Sequence, residues 1–223
     1  MIIYGNLSKY LCLKLCYNYI ILEVVMSQLI NKLKQRRSFR EFETESFDIQ
    51  ILIDAIEAAK YAPNGANKQP WTFCVIKDPE IKKQIRKESE RVENMFYNKI
   101  SSEWQSDLKP LNVNTDKPFL EQAPYLIVIF KHTYQLDESG NKTNVYYPDI
   151  SIGIATGMLI SVLTDLDINI LTYTPSPNLF LRDILNRPKN EKPYMILVCG
   201  KGSKNYIPPK ITKKDNEEII KIY

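Results

Sequence analysis

Six consecutive residues, Tyr125-Leu-Ile-Val-Ile-Phe130, constrain this chain more than any other segment. The run has strand length, and its apolar side chains do not alternate with polar ones, so both faces must be covered. It predicts the central strand of a sheet with a layer on each side. Trp71 to Ile76, Ile170 to Thr174 and Met195 to Cys199 read as its companions. Covering helices are also visible. Ile49, Leu52, Ile53, Ile56 and Ala59 share one face of a helix for which Ser46 is the expected N-cap, and Pro63 with Asn64-Gly65 ends it and turns the chain. Asp78-Pro79 opens a long polar helix reaching about Ile100, and a loop from Leu108 to Pro118 follows. Asp149 to Leu163 is apolar nearly all round and reads as a buried helix. Leu136 to Thr143 reads as a polar turn and Leu179 to Leu185 as a short helix. With 223 residues, 44% of them hydrophobic, the chain predicts one α+β domain, with no internal repeat and no dividing linker.

The first 25 residues differ from the rest. Tyr10 to Val25 is apolar and aromatic but broken by Lys14, Asn18 and Glu23, short of the ~20 clean apolar residues of a membrane helix. It lacks a small-residue cleavage site. We expect Met26 to be the natural start, with residues 1–25 an upstream extension and 26–223 the functional domain; a degenerate membrane anchor is the rival reading. The helix opened by Met26 would carry Leu29, Ile30 and Leu33 on one face.

Several classes find no support. His132 is the sole histidine, which disfavours a multi-His metal site and a Ser-His-Asp hydrolase. Cys12 and Cys16 lack a second ligand pair, and Cys74 and Cys199 sit in apolar runs as small core residues do. No metal is expected, and a reducing cytoplasm is the simplest setting. Neither a GxGxxG nor a Walker A motif occurs. The net charge of +4 is concentrated locally, in Lys201, Lys204, Lys210, Lys213, Lys214 and Lys221 of the tail and in Arg36, Arg37 and Arg40. Such clusters suit phosphate groups, and the bland alternative is a solvated patch.

Arg36-Arg37-Ser38-Phe39-Arg40 concentrates guanidinium forks and a hydroxyl in five residues, as a phosphate dianion requires. About 25 residues on comes Ala62-Pro63-Asn64-Gly65-Ala66-Asn67-Lys68-Gln69-Pro70-Trp71. Together the two elements resemble the signature of the nitroreductase superfamily. The segments PFLEQAPYLIVIFK, YYPDISIGIATGMLISVL, TYTPSP and LNRPKNEKPYMILVCG narrow the resemblance to its iodotyrosine deiodinase branch, over roughly Gln35 to Lys214.

That resemblance implies a nitroreductase-like fold, a mostly antiparallel sheet flanked by helices in an intertwined homodimer. It implies FMN as cofactor and reductive dehalogenation of halotyrosines by one-electron steps, with NAD(P)H or a reductase as electron donor. Arg36, Arg37, Ser38, Phe39 and Arg40 would hold the FMN phosphate and ribityl region, and Thr172, Tyr173 and Thr174 would lie beside the flavin. The Thr174 hydroxyl would face flavin N5 as the catalytic group. Asn64, where the family usually has Ser, and Gly65 would contact the flavin from the partner subunit. Lys213 falls where the family has a phosphate-contacting Arg. The Ala66 N–H would bind the substrate phenolate.

Glu93, Tyr97 and Lys117 separate this branch from generic nitroreductases. Glu93 and Tyr97, four apart, share a helix face. A zwitterionic amino acid needs an anion for its ammonium and a cation for its carboxylate; Glu93 and Lys117 supply both, and Tyr97 adds a hydroxyl. An ordinary solvated Glu–Tyr pair is the alternative. A generic NAD(P)H-dependent nitroaromatic or quinone reductase and a flavin-consuming enzyme of vitamin B12 lower-ligand synthesis also stay open. A basic nucleic-acid-binding module is the different-class rival, although no nucleic-acid partner is expected.

Overall fold

The computed structural model describes residues 28–97, 99–111 and 113–223. The expectations for residues 1–25, for Met26 as the start, and for Cys12 and Cys16 lie outside the described residues. No helix among the described residues is long and apolar enough to cross a membrane.

Residues 28–35 form helix α1. Next come α2 (Ile49–Ala59), β1 (Trp71–Ile76), α3 (Pro79–Tyr97), α4 (Ser102–Leu108), α5 (Phe119–Gln122) and β2 (Tyr125–His132). A small hairpin, β3 (Gln135–Leu136) and β4 (Lys142–Thr143), leads into α6 (Pro148–Asp165). The chain continues through β5 (Asn169–Tyr173), α7 (Phe180–Ile184), β6 (Glu191–Gly200) and α8 (Asn216–Ile219). The main sheet has the order β1-β2-β6-β5, with every pairing antiparallel. A parallel bridge from Ser38 to Ile170 lays the arginine-rich segment along β5.

β2 is central, as its unbroken apolar run requires. Tyr125, Ile127 and Ile129 point into one core with Leu52, Ala55 and Ala59 of α2 and Ile152, Ala155, Leu159 and Leu163 of α6. Leu126, Val128 and Phe130 point the other way, onto Ile85 of α3, Phe119 and Leu120 of α5 and Leu181 of α7. The pleat thus divides one strand between two cores.

Three local expectations are corrected. α2 begins at Asp48 rather than Ser46, because the Asp48 carboxylate accepts from the Gln50 N–H at 2.9 Å and satisfies an orphan donor of the first turn. The stretch expected as loop from Leu108 to Pro118 opens with a 3-10 turn, Lys109–Leu111, reached from the short α4, which Ser101 caps by accepting from the Trp104 N–H at 3.2 Å. α6 is buried on one side only: Ile150 is 63% and Ile154 39% exposed. The apolar face of α1 (Leu29, Ile30, Leu33) is likewise open to solvent.

Candidate active site

Two elements meet at the edge of the sheet to form the site. Asp78 caps α3 by accepting from the N–H groups of Glu80 and Ile81 at 2.8 and 3.2 Å. From that fixed start the helix carries Glu93 and Tyr97 to its far end, above the end of β5. A cavity of about 520 Å³ lies there, bounded by the last turn of α3, the 104–119 segment, β5, Arg40 and tail residues Tyr206, Ile207 and Pro209. Glu93, Tyr97, Lys117, Thr172, Tyr173, Thr174 and Arg40 all line it. One cavity therefore holds residues that the sequence scatters over more than a hundred positions.

Its charged floor is an ion pair. Lys117 Nζ lies 3.3 Å from Glu93 Oε2, with the two side chains only 6% and 11% exposed. The Lys117 ammonium also donates to the Asn114 carbonyl and sits 5.7 Å from the ring centroids of both Tyr97 and Tyr173. Burial pushes the Lys117 pKa down, and the Glu93 carboxylate opposes that shift. Burial, reinforced by the Glu93 charge, pushes the Tyr97 phenol up. A charge pair out of water is costly unless its remaining valences are met. Here Tyr173 meets one of them, donating its hydroxyl to Glu93 Oε1 at 3.1 Å. Phe119 abuts the Tyr173 ring edge-on with centroids 5.5 Å apart. Above the pair, Phe96 and Trp104 form a T-shaped contact with centroids 4.9 Å apart, giving the cavity an aromatic wall.

The arginine-rich segment runs along the neighbouring edge, held by the Phe39 N–H donating to the Ile170 carbonyl at 3.2 Å. Arg36, Arg37 and Phe39 line a second cavity of about 300 Å³ with Lys32, Asn169 and Ile170. The Arg37 guanidinium donates to the Pro209 carbonyl and so ties the tail to this edge. The Cδ1–Cε1 edge of Phe39 abuts Gly202, where an added Cβ would lie 2.2 Å from the ring. That glycine is needed for the close approach.

The Ala62–Trp71 turn stands apart, and Asn64, Gly65 and Ala66 line neither cavity. Its backbone is left-handed at three non-glycine residues, Ala66 (φ 51), Asn67 (φ 52) and Gln69 (φ 46), a costly arrangement that clusters at functional sites. Asn64 staples it: Oδ1 accepts from the Gln69 N–H at 2.8 Å and Nδ2 donates to the Ala62 carbonyl at 3.1 Å. Gly65 is pressed against Tyr146, where a Cβ would come within 2.6 Å of its side chain. Lys213 is exposed in the tail and also lines neither cavity.

Sequence reasoning missed three participants: Tyr173 as the partner of Glu93, the Phe96–Trp104 wall, and a cluster around Arg86. Only the last had a signal, the four-residue spacing of Arg86 and Glu90 on α3.

A polar floor, an aromatic wall and an adjoining guanidinium cluster suit a flat ring system bearing phosphate and a small zwitterion. Residues 33–201 match the model of the nitroreductase family. The chain belongs to that family. Within it, the chain is similar to proteins named iodotyrosine deiodinase. It is 40% identical to that of Haliscomenobacter hydrossis over 84% of this chain and 85% of the relative. It is 36% identical to that of Nematostella vectensis over 87% of this chain and 74% of the relative. Among solved structures, oxidized iodotyrosine deiodinase bound to FMN and 3-iodo-L-tyrosine superposes with a TM-score of 0.76 at 29% identity, covering 87% of this chain and 98% of that one.

Proposed function

We propose that this chain is an FMN-dependent oxidoreductase that removes halogen reductively from halotyrosines. The observation that carries the reading is the buried Glu93–Lys117 pair, set in a cavity that also holds Thr172, Thr174 and Arg40. The pair is net neutral, as an amino acid is. A zwitterion entering between its members exchanges one ion pair for two, with its ammonium on Glu93 and its carboxylate on Lys117. Binding energy then depends on the amino-acid end of the ligand, and the aromatic end is left to lie against the ring system beside it.

The residues present fit FMN. Arg36, Arg37 and Arg40 with the Ser38 hydroxyl offer donors for a phosphate dianion along β5, and Thr172 and Thr174 offer hydroxyls at the same strand end. Lys213 would add charge from the tail. When bound, FMN supplies the two electrons that, with one proton, convert an aryl carbon–halogen bond into carbon–hydrogen and release halide. The chain's own work is orientation. Glu93, Tyr97 and Lys117 hold the amino-acid end, and the Phe96–Trp104 wall excludes water. Thr174 holds a hydroxyl at the flavin. The Asn64–Ala66 turn would serve the cavity of a second copy, with Ala66 presenting its N–H to the phenolate. We therefore propose a homodimer, which the uncovered apolar faces of α1 and α6 support, and NAD(P)H or a reductase as the electron donor.

The test is anaerobic incubation of 3-iodotyrosine with the purified, FMN-loaded protein and dithionite, expecting one tyrosine and one iodide per two electrons. Glu93→Gln should weaken halotyrosine binding while FMN stays bound. Equal halotyrosine affinity in that variant and the parent would sink the amino-acid reading. Rapid reduction of nitroaromatics without dehalogenation would favour a generic nitroreductase instead.

A further inference from the structure

Arg86 touches neither cavity, yet it organises the segment that carries Lys117. Its guanidinium meets three carboxylates from three stretches of chain. Nε lies 2.6 Å from Glu90 Oε1 on α3, Nη2 lies 2.7 Å from Asp116 Oδ1 in the loop, and Nη1 lies 3.2 Å from Glu121 Oε1 on α5. The same Glu90 Oε1 accepts the backbone N–H of Lys117 at 2.9 Å. One carboxylate oxygen thus joins Arg86 to the residue next to Asp116, and the loop is held on both sides of that peptide. The Asp116 N–H donates to Asn114 Oδ1 at 3.1 Å, closing the last turn of the loop.

The cluster has a second, electrostatic effect. Glu90 and Asp116 flank Lys117, and without a counter-cation they would compete for its ammonium; the Glu90 charge already acts on it. A guanidinium is suited to occupy both, because its fixed fork donates in several directions while a lysine ammonium is a point charge.

We infer that Arg86 is a positioning residue for Lys117, and through it a determinant of specificity for substrates that carry a carboxylate. The inference rests on the halotyrosine reading above. Arg86 holds the Lys117 peptide in place and keeps Glu90 and Asp116 from capturing the Lys117 charge, so that the charge meets the carboxylate of the ligand. The ammonium site at Glu93 does not depend on it.

The experiment compares two probes on the FMN-loaded protein by flavin fluorescence: 3-iodotyrosine, and 3-iodotyramine, which keeps the ammonium and ring but lacks the carboxylate. Arg86→Gln should weaken 3-iodotyrosine about tenfold and leave 3-iodotyramine within about twofold, in keeping with a charge-assisted network that is partly solvent-exposed. Arg86→Lys should recover part of the loss. Glu90→Ala removes the acceptor of the Lys117 N–H together with one competing charge, so it tests the hold on the peptide alone and should weaken 3-iodotyrosine selectively but less than Arg86→Gln does. Equal weakening of both probes in both variants, or no weakening of either, overturns the inference. If the parent protein binds 3-iodotyramine as tightly as 3-iodotyrosine, the amino-acid reading fails and takes this inference with it. A parent that prefers 3-iodotyrosine, with variants that keep the preference, removes Arg86 alone.

Discussion

The Tyr173 hydroxyl donates to Glu93 Oε1 at 3.1 Å, so one oxygen of that carboxylate is committed while Oε2 faces Lys117 at 3.3 Å. β5 and α3 are therefore joined by a side-chain contact. Burial, with the nearby Glu93 charge, holds the Tyr173 phenol far above its ordinary pKa, so it remains a donor throughout the working range. Its neighbours Thr172 and Thr174 are exposed while Tyr173 is buried, so the side chain leaves the strand on the opposite face. Tyr173→Phe keeps the ring under Lys117 and removes only the hydrogen bond. We expect about tenfold weaker 3-iodotyrosine binding, roughly 1.4 kcal/mol, as for loss of a hydrogen bond to a charged group. A fluorescence titration showing unchanged affinity would rule out this orienting role.

Asn64 spends both ends of its side chain on the left-handed turn. Asn64→Ala should relax Ala66 and Asn67 toward ordinary backbone and move the Ala66 N–H away from the ligand. The expected result is FMN loss on dialysis and a several-fold weaker phenolate interaction. Asn64→Ser should restore part of it. Full FMN retention in the alanine variant would show that the turn holds without its staple.

Acid should destabilise the protein through His132. The Thr72 hydroxyl donates to Glu191 Oε1 at 2.9 Å, which leaves His132 Nε2, 2.9 Å away, to donate its hydrogen to Thr72. His132 Nδ1 is buried and has no partner among the described residues, so a proton added there finds no acceptor among them. Burial lowers the His132 pKa below 6.5. As pH falls below 6.5 the unfolded chain binds the proton first. Stability is therefore full above that value and declines down to the folded-state pKa. Melting temperature followed from pH 7.5 to about 5 should fall less in His132→Gln than in the parent. Identical slopes would contradict the assignment.

The open faces of α1 and α6 bear on assembly. Sedimentation should find a dimer, and Ile150→Glu with Ile154→Glu should shift it toward monomer by placing charge on an apolar contact. FMN should be lost in step, since the Asn64–Ala66 turn would serve the other copy. A monomeric parent that keeps its flavin would refute the shared site.

The sequence made the framework readable where one physical requirement dominated. Tyr125 to Phe130 could only be a doubly covered strand, and it lies between β1 and β6. The start of α2 was placed two residues early, at Ser46, because residue type shows which side chain can cap and not which one does; the contact of Asp48 with the Gln50 N–H shows that. Ile150 and Ile154 read as buried because hydrophobic pattern reports that a face needs cover and says nothing of which chain provides it. In the site, the family resemblance singled out Glu93, Tyr97 and Lys117; spacing alone placed only Glu93 and Tyr97 on one helix face. Their mutual pairing was not legible, nor was the Tyr173 contact, because residues 80 positions apart leave no periodic mark on each other.

The strand order carries a consequence for synthesis. β6 emerges last yet lies inside the sheet between β2 and β5. Until it leaves the ribosome, β2 can pair only with β1, and β5, which bears the cavity hydroxyls, has only the short Ser38 bridge to register against. Nascent chains lacking residues 191–200 should therefore expose raw strand edges and attract holding chaperones. The cavity at the end of β5 would be the last part of the molecule to come into existence.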